Sequence, residues 1–350
     1  MNGQSPKVVV VGSFNMDLVV KAERRPQKGE TLIGEEFGMF IGGKGSNQAI
    51  AAARLGADVT MIGRLGMDLF GDTLMSAHTR EHIHTDFIVR DIEAGTGVAL
   101  PLIDAAGDNS IVIVPRANMR LSVEDVERAS GAIATAEILL LQLEVPIEAC
   151  QRAAEIAKSA GAKVILNPAP ARELPDSFLA EVDILTPNEV ETEFLSGIEV
   201  SDLAGAECAA EILLNKGLDT VILTLGDQGA LLFAPDFKGL IPAYEVSVVD
   251  TTAAGDAFCG AFATAVARGK KLEDAVVFAN AAGGLAVTVL GAAPSMPTAE
   301  QVDKFGSSEL SVGMKLASGI FGCNHESHQY ANSTNGKGIR EIRPFVIFVI

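Results

Sequence analysis

The stretch DTTAAGDAFCGAFA, residues 250–263, sets a carboxylate, Asp256, directly behind three residues with almost no side chain, Ala253, Ala254 and Gly255. An Ala- and Phe-rich helical pattern follows. The first turn of a helix leaves backbone N–H groups without partners, and the macrodipole adds about half a positive charge there. Small residues at that turn let an anion approach the amides closely, so 253–255 read as a phosphate cradle, an anion hole. A carboxylate repels a resting phosphate. It has a use there if it takes the proton from a hydroxyl that attacks the phosphorus, which makes Asp256 a candidate general base. Alone, an acid in a first helical turn is ordinary dipole compensation. What lifts Asp256 above that reading is the set of polar residues elsewhere in the chain.

A second glycine cluster, FIGGKGSNQAIAAARLGADVTMIGRLG at 40–66, also precedes a helical pattern. It lacks the spacing of a Walker A loop, and VVVVGSFNMD lacks the glycines of a dinucleotide fingerprint. Bare backbone at Gly42 and Gly43 suits a hydroxyl-bearing ligand, with Lys44 and Asn47 as donors. A turn with a helix cap would explain an isolated Gly-Gly equally well. Polar groups recur where apolar runs end: Asn15 and Asp17 after VVVVGSF, Glu144 after LLLQL, Asn167 after VIL, and Asn188 and Glu191 after DILTP. Thr224 and Gly226 follow another VIL, and Asp250 and Thr252 follow VSVV. Each alone is a turn former or an N-cap. Their repetition favours a site, because open α/β sheets bind ligands outside the carboxyl ends of their strands.

The elements that must position these groups follow from periodicity. Apolar runs at 7–12, 137–144, 162–168, 182–189 and 219–226 alternate with helical patterns such as 45–56, 146–160 and 203–217. Continuous apolar strands between amphipathic helices predict an α/β fold, a doubly wound and mostly parallel sheet with helices on both faces. Segments 14–41 and 96–114 break the rhythm and alternate like exposed antiparallel strands, the second turning at Gly107-Asp108-Asn109. They predict a small β-lid outside the main sheet; edge strands of that sheet fit the pattern nearly as well. Residues 1–305 then form one domain, and 306–350, polar and turn-rich before the apolar FVIFVI, form a poorly ordered appendage.

The 350 residues carry 27 Lys plus Arg against 45 Asp plus Glu, a net charge of −18 that disfavours nucleic-acid partners. Cys150, Cys208, Cys259 and Cys323 are scattered without a CxxC pair, which suggests a reducing compartment. With no signal-peptide pattern and no apolar run long enough to span a bilayer, the expectation is a cytoplasmic protein without a membrane partner. His78 and His82 stand four apart without an HExxH pattern, so a solvated helix face is expected there instead of zinc. Cys259, close behind the cradle, is expected to pack, with some sensitivity to oxidation.

The GGKGSNQAIAAARLGADVTMIGRLG and DTTAAGDAFCGAFA segments, in this order and separation, resemble the two signatures of the ribokinase-like carbohydrate kinases, the PfkB family. The resemblance runs from about Lys7 to Phe305. Asn15-x-Asp17, Lys44 within GGKGxNQA, LQLE ending in Glu144, and AAGD in place of the commoner GAGD are similar to the branch that phosphorylates ribose. The resemblance implies that Asn15, Met16, Asp17, Gly43, Lys44, Gly45, Ser46, Asn47, Glu144 and Asp256 contact the sugar. It implies ATP contacts from Asn188, Thr224, Leu225, Gly226, Asp227, Gln228, Gly229, Gly255, Asp256 and Asn280. Glu191, in the family's NxxE pattern, would organise Mg²⁺ through water, and Asp250, Thr252, Ala286, Val289, Gly291 and Ser295 match a monovalent-cation site, usually K⁺. A homodimer joined through the lids is also implied. The reaction so implied is transfer of the ATP γ-phosphate to the 5-hydroxyl of D-ribose. The alternatives are another small sugar or nucleoside (deoxyribose, fructose, adenosine) as acceptor, or a non-catalytic sugar sensor, against which the intact Asp256 and cradle argue.

Overall fold

The structure, a computed structural model, describes residues 5–106 and 108–309. In chain order the strands are β1 (Lys7–Val11), β2 (Asn15–Lys21), β3 (Glu36–Gly42), β4 (Asp58–Gly66), β5 (His84–Asp91), β6 (Gly97–Ile103) and β7 (Asn109–Val114). They continue as β8 (Ile138–Leu141), β9 (Lys163–Leu166), β10 (Ile184–Leu185), β11 (Thr220–Thr224), β12 (Ala230–Ala234) and β13 (Phe237–Ile241). The main sheet has the order β13-β12-β11-β10-β9-β8-β1-β4-β5. It is parallel from β5 through β11, and β12 and β13 close it as an antiparallel edge.

The apolar runs form these strands because both faces of the sheet are covered. In β1 the side chains of Val8 and Val10 enter one core, with Ile50, Phe258, Phe262 and Val276. Val9 and Val11 enter the other, with Ala149, Ala153, Ala206 and Ala210. The period of two thus divides one strand between two helical layers. Each fully buried Val or Leu contributes about 1.5–3 kcal/mol of transfer free energy.

The helices Lys44–Arg54 and Ala254–Ala267 pack side by side on the first layer, and small residues set how close they come. A Cβ on Gly260 would stand 2.6 Å from the Ala51 Cβ and 2.7 Å from the Gln48 carbonyl oxygen. That closeness brings the GGKGSNQ turn to the Asp256 turn across more than two hundred residues of sequence.

The second sheet, β3-β2-β6-β7, is separate from the first, so the two irregular segments form a lid and not edge strands. The lid is mixed and not purely antiparallel: β2 pairs β3 antiparallel, with Asn15 opposite Gly42, but pairs β6 in parallel. The reason is topological: β2 leaves β1, and β6 leaves β5, from the same edge of a parallel sheet and in the same direction. β6 and β7 are the hairpin the turn signal predicts, Ile103 facing Asn109, although Gly107 itself lies outside the described residues.

Three further expectations need correction. VSVV, 246–249, is not a strand but an irregular segment joined to the main chain of Val287 through the Val249 amide. His78 is not solvated: it lies fully buried on the helix Leu69–Arg80, its Nδ1 2.8 Å from the Leu74 carbonyl and its ring edge-on to Phe14. His82 follows that helix with a φ of 58°. The last described helix, Ala299–Glu309, runs past Phe305, so residues 306–309 belong to the folded unit; the remainder of the expected tail, with Cys323, lies outside the described residues.

Candidate functional site

Two glycines let the lid and the body meet. Gly43 ends the turn into the helix Lys44–Arg54 with φ 91°, and a Cβ there would sit 2.7 Å from the Asn15 amide nitrogen. At Gly42, a Cβ would collide with the Asp17 carboxylate. Both are therefore spaces kept open for the polar residues of β2. Asn15 is buried, and its Oδ1 accepts from Asn118 Nδ2 at 3.0 Å. Asn118 also clamps both main-chain polar groups of Phe14, which fixes the strand-to-lid joint. The Met16 side chain points the other way, into the hydrophobic core.

Facing Asp17 across the cleft is Glu144, whose Oε2 accepts from the Lys44 amide at 3.0 Å and from the Ser13 hydroxyl. The floor of the cleft is Asp256. Its Oδ2 accepts from Asn47 Nδ2 at 2.9 Å, and its Oδ1 accepts from Gln48 Nε2 at 2.9 Å. The helix Ala254–Ala267 starts with Ala253 in the left-handed region (φ 62°, ψ 15°) and with no side-chain cap; the Ala254 amide donates to the Thr251 carbonyl at 3.3 Å, and the Gly255 and Asp256 amides are left for another acceptor. A Cβ on Gly255 would meet nothing within 4 Å, as expected of a turn kept open.

The charges of this cluster act on one another. Burial, then the neighbouring Glu144 and Asp256 charges, push Asp17 up to about 7. Burial also raises Asp256, and the Lys44 ammonium and the Asn47 and Gln48 amides oppose that rise. Lys44 is held above its usual range because Asp256, Glu144 and Glu191 outweigh its desolvation. Glu191 is raised chiefly by burial, against Lys44 and the Asn188 amide. One lysine thus sits among three carboxylates, Asp256, Glu144 and Glu191, an arrangement common at reacting centres.

Among the residues expected to hold a nucleotide, Asn188 and Glu191 form a capping box on the helix Glu189–Ser196, each accepting from the other's amide at 2.9 Å. The N-cap reading is therefore true of both, and Glu191 keeps one carboxylate oxygen beyond the cap. Asn188 bridges Thr224, which opens the turn through Leu225, Gly226, Asp227, Gln228 and Gly229. Asn280 donates to the Ile241 and Pro242 carbonyls, at 3.0 and 3.1 Å, beside Gly229. These residues therefore gather at one corner, at the carboxyl ends of β10 and β11.

Of the expected monovalent-cation residues, Asp250, Thr252 and Gly291 are joined directly. Asp250 Oδ1 accepts from the Thr252 amide and hydroxyl at 2.9 and 2.6 Å, and its Oδ2 accepts from the Gly291 amide at 2.8 Å. Its own amide bonds the Val287 carbonyl, between Ala286 and Val289. Ser295 turns its hydroxyl back to the Ala292 carbonyl at 2.7 Å. The set offers a carboxylate, hydroxyls and main-chain carbonyls, which are hard oxygen donors suited to such an ion. No group of three or more His, Cys, Asp or Glu that could hold a metal occurs among the described residues.

Motif spacing misses Ser13, Gln48, Asn118 and Gln142. For Gln142 and Gln48 the signal is a polar residue inside an apolar run, LLLQLE and NQAIAAA, where a buried amide has to find partners. Cys259 lies against Thr186, fully enclosed, and burial pushes its thiol up to about 12. A protonated, enclosed thiol is inert, which corrects the expectation of oxidation sensitivity.

A mostly parallel sheet with a separate lid, and a polar cleft between them ending at a helix N-terminus, make a doubly wound α/β fold with one charged site at its carboxyl edge. The profile described as pfkB family carbohydrate kinase matches residues 5–299. The ribokinase of Staphylococcus aureus (strain COL) is 44% identical over 300 residues, covering 85% of this chain and 99% of its own. The deoxyribokinase of Salmonella typhi is 38% identical over 299 residues, covering 85% and 98%. The structure of Arabidopsis thaliana ribokinase complexed with ribose and ATP aligns with a TM-score of 0.80 at 36% identity, covering 87% of this chain and 99% of that one. The chain belongs to the pfkB family of carbohydrate kinases, and its chemistry is that of a sugar kinase. No helix among the described residues is long and apolar enough to cross a membrane.

Proposed function

We propose that the protein transfers the γ-phosphate of ATP to the 5-hydroxyl of D-ribose. The observation that carries this reading is the Asp256 carboxylate, fixed by Asn47 and Gln48 at the uncapped start of the helix Ala254–Ala267 and faced by Asp17, Lys44 and Glu144. Carboxylates and amides that both accept and donate suit a polyhydroxylated ring. Asn15, Asp17, Asn47 and Glu144 hold its hydroxyls, and the turn Gly43–Ser46 lies along it. The primary hydroxyl then lies against Asp256, which takes its proton as the oxygen attacks phosphorus. The amides of Gly255 and Asp256 stabilise charge on the phosphoryl group in flight, and the Lys44 ammonium lies between sugar and phosphate. Asn188, the Thr224–Gly229 turn and Asn280 hold the nucleotide, and lid closure keeps water from competing as nucleophile.

Glu191 would offer a carboxylate oxygen to the hydration shell of Mg²⁺ held with the ATP phosphates, and the ion would supply neutralisation of their charge. A potassium ion would be held by Asp250 and Thr252 with the Ala286, Val289, Gly291 and Ser295 oxygens, ordering the segment that leads into the cradle. We also read the protein as cytoplasmic and as a homodimer joined by its lids.

The test is a coupled ADP-release assay across ribose, deoxyribose, fructose and adenosine, in potassium and in sodium. Ribose should give the highest kcat/KM and potassium the faster turnover. Asp256→Asn should lower turnover by a factor on the order of 10² or more, as loss of a general base does. Preference for another acceptor reassigns the substrate, and an undiminished Asp256→Asn rate removes the base.

A further inference from the structure

We infer that Gln48 is a positioning residue for Asp256, the last member of a relay of buried amides that runs from the main sheet to the reacting carboxylate. The inference rests on Asp256 being the base and adds how that base is aimed and kept ionised.

The relay begins at the carboxyl ends of three adjacent strands. Gln142 follows β8, Asn167 follows β9 and Thr186 follows β10. Asn167 Nδ2 donates to the Thr186 carbonyl at 2.8 Å, which points its Oδ1 at Gln48 Nε2, 3.2 Å away. Gln142 Nε2 donates to Gln48 Oε1 at 2.6 Å. Gln48 Nε2 is left with one direction to serve, and it donates to Asp256 Oδ1 at 2.9 Å. Rotating the Gln48 amide by half a turn would set its oxygen against both the carboxylate and Asn167 Oδ1, and its nitrogen against that of Gln142. Three contacts therefore fix one orientation.

Each carboxylate oxygen receives one amide donor, Oδ2 from Asn47 and Oδ1 from Gln48. Two donors on two oxygens set the plane of the carboxylate. The two differ in what else they touch. Asn47 lies in the cleft, and its Oδ1 has no partner among the described residues, so it can serve the sugar as well. Gln48 is fully buried, with both ends of its amide used inside the protein. It can act on the reaction only through Asp256.

Donation to a carboxylate favours its charged form. The titratable groups facing Asp256 are Lys44 and Glu191 from two other helices, Glu144 after β8, Asp17 from the lid and Cys259 on its own helix. The three carboxylates, Glu144, Glu191 and Asp17, favour the neutral carboxyl when they are charged, the Cys259 thiol stays neutral, and the amides and Lys44 carry the opposing effect.

The experiment is single-turnover phosphoryl transfer from ATP to ribose by the full chain, followed from pH 5 to 9 for wild type, Gln48→Leu, Gln48→Glu and Gln142→Leu, with melting curves to check folding. The base works deprotonated, so its rate falls as pH drops. Loss of a donor raises its pKa and moves that acid limb to higher pH. Gln48→Leu should move the limb up by about one pH unit and lower the plateau about tenfold, leaving sugar KM within about threefold. Gln48→Glu should move it at least as far. Gln142→Leu, distant from the carboxylate, should shift it in the same direction by less, and it stands as the test if Gln48→Leu does not fold. A folded variant with a wild-type acid limb, or a loss confined to sugar KM, overturns the inference. Asp256→Asn run in parallel separates the two readings: if it stays active the base assignment falls, and if it is inactive while the limb is unmoved, only the relay falls.

Discussion

Asp17 and Asp256 share one cleft and are both pushed toward the neutral acid by burial, yet they have different neighbours. Asp256 has two amide donors, whereas the causes acting on Asp17 all raise it, to about 7. A carboxylate accepts two sugar hydroxyls only when ionised, so ribose should bind the deprotonated form and release a proton. The sign follows: affinity falls as pH drops below about 7, by up to tenfold per unit, and levels off above it. Calorimetric titration with ribose at pH 5.5 to 8.5, in buffers of different ionisation enthalpy, measures both the affinity and the proton. Asp17→Asn should flatten that dependence and weaken binding about tenfold to a hundredfold, the scale of a hydrogen bond to a charged group. A pH-independent affinity in the wild type would remove Asp17 from the sugar. Much of this cleft was legible because Asn15, Asp17, Lys44, Asn47, Glu144 and Asp256 stand at the ends of apolar runs. Gln48 and Gln142 were not, because an amide within an apolar helix or strand leaves no periodic trace; only the packing of Gly260 on Ala51 shows which carboxylate Gln48 meets.

At the level of elements, the helix Ala254–Ala267 opens on a non-glycine residue with φ 62°. The left-handed region costs an L-residue about 1–2 kcal/mol, whereas glycine enters it freely and instead loses about 0.5–1 kcal/mol through its looser unfolded chain. Ala253→Gly should therefore be neutral to about 1 kcal/mol stabilising, and the β-branched Ala253→Val destabilising by more than 1 kcal/mol, both read from urea unfolding. A clear loss of stability on Ala253→Gly would mean that the turn is not left-handed. The strands that sequence identifies best, β1, β8, β9 and β11, are covered on both faces and read as unbroken apolar runs. VSVV has the same composition but pairs with neither sheet and leaves Val248 and Val249 largely exposed. The parallel β2–β6 pairing was hidden for another reason: a half-exposed strand shows its alternation but not its partner, which the crossing of the chain decides. His78 looked solvated because its residue type is polar. In the helix Leu69–Arg80 it shares the buried face with Leu74 and Ala77, and burial drops its pKa to about 4, so it packs as a neutral ring.

For the molecule as a whole, the lid leaves β7 uncovered: Val112 is 60% and Val114 42% exposed, with Phe37 and Met39 of β3 also open. Apolar strands standing in water call for a partner, and in the proposed dimer a second lid would supply one. Val112→Asp with Val114→Asp should convert a dimer into a monomer in sedimentation velocity and raise the ribose KM. A wild-type protein that sediments as a monomer at micromolar concentration would remove the lid dimer. The net charge of −18 fits an anionic substrate only because the attraction is local, confined to Lys44 and the helix start. The parallel pairing of β2 with β6 reaches further than architecture. It welds two excursions, departing the body behind β1 and β5, into a single plate, and Asn15 and Asp17 ride on that plate while Lys44, Glu144 and Asp256 stay behind. If the plate swings away during the proposed reaction, Asn15 and Asp17 would leave the ring in the same stroke that admits solvent, so letting go and opening would be one event.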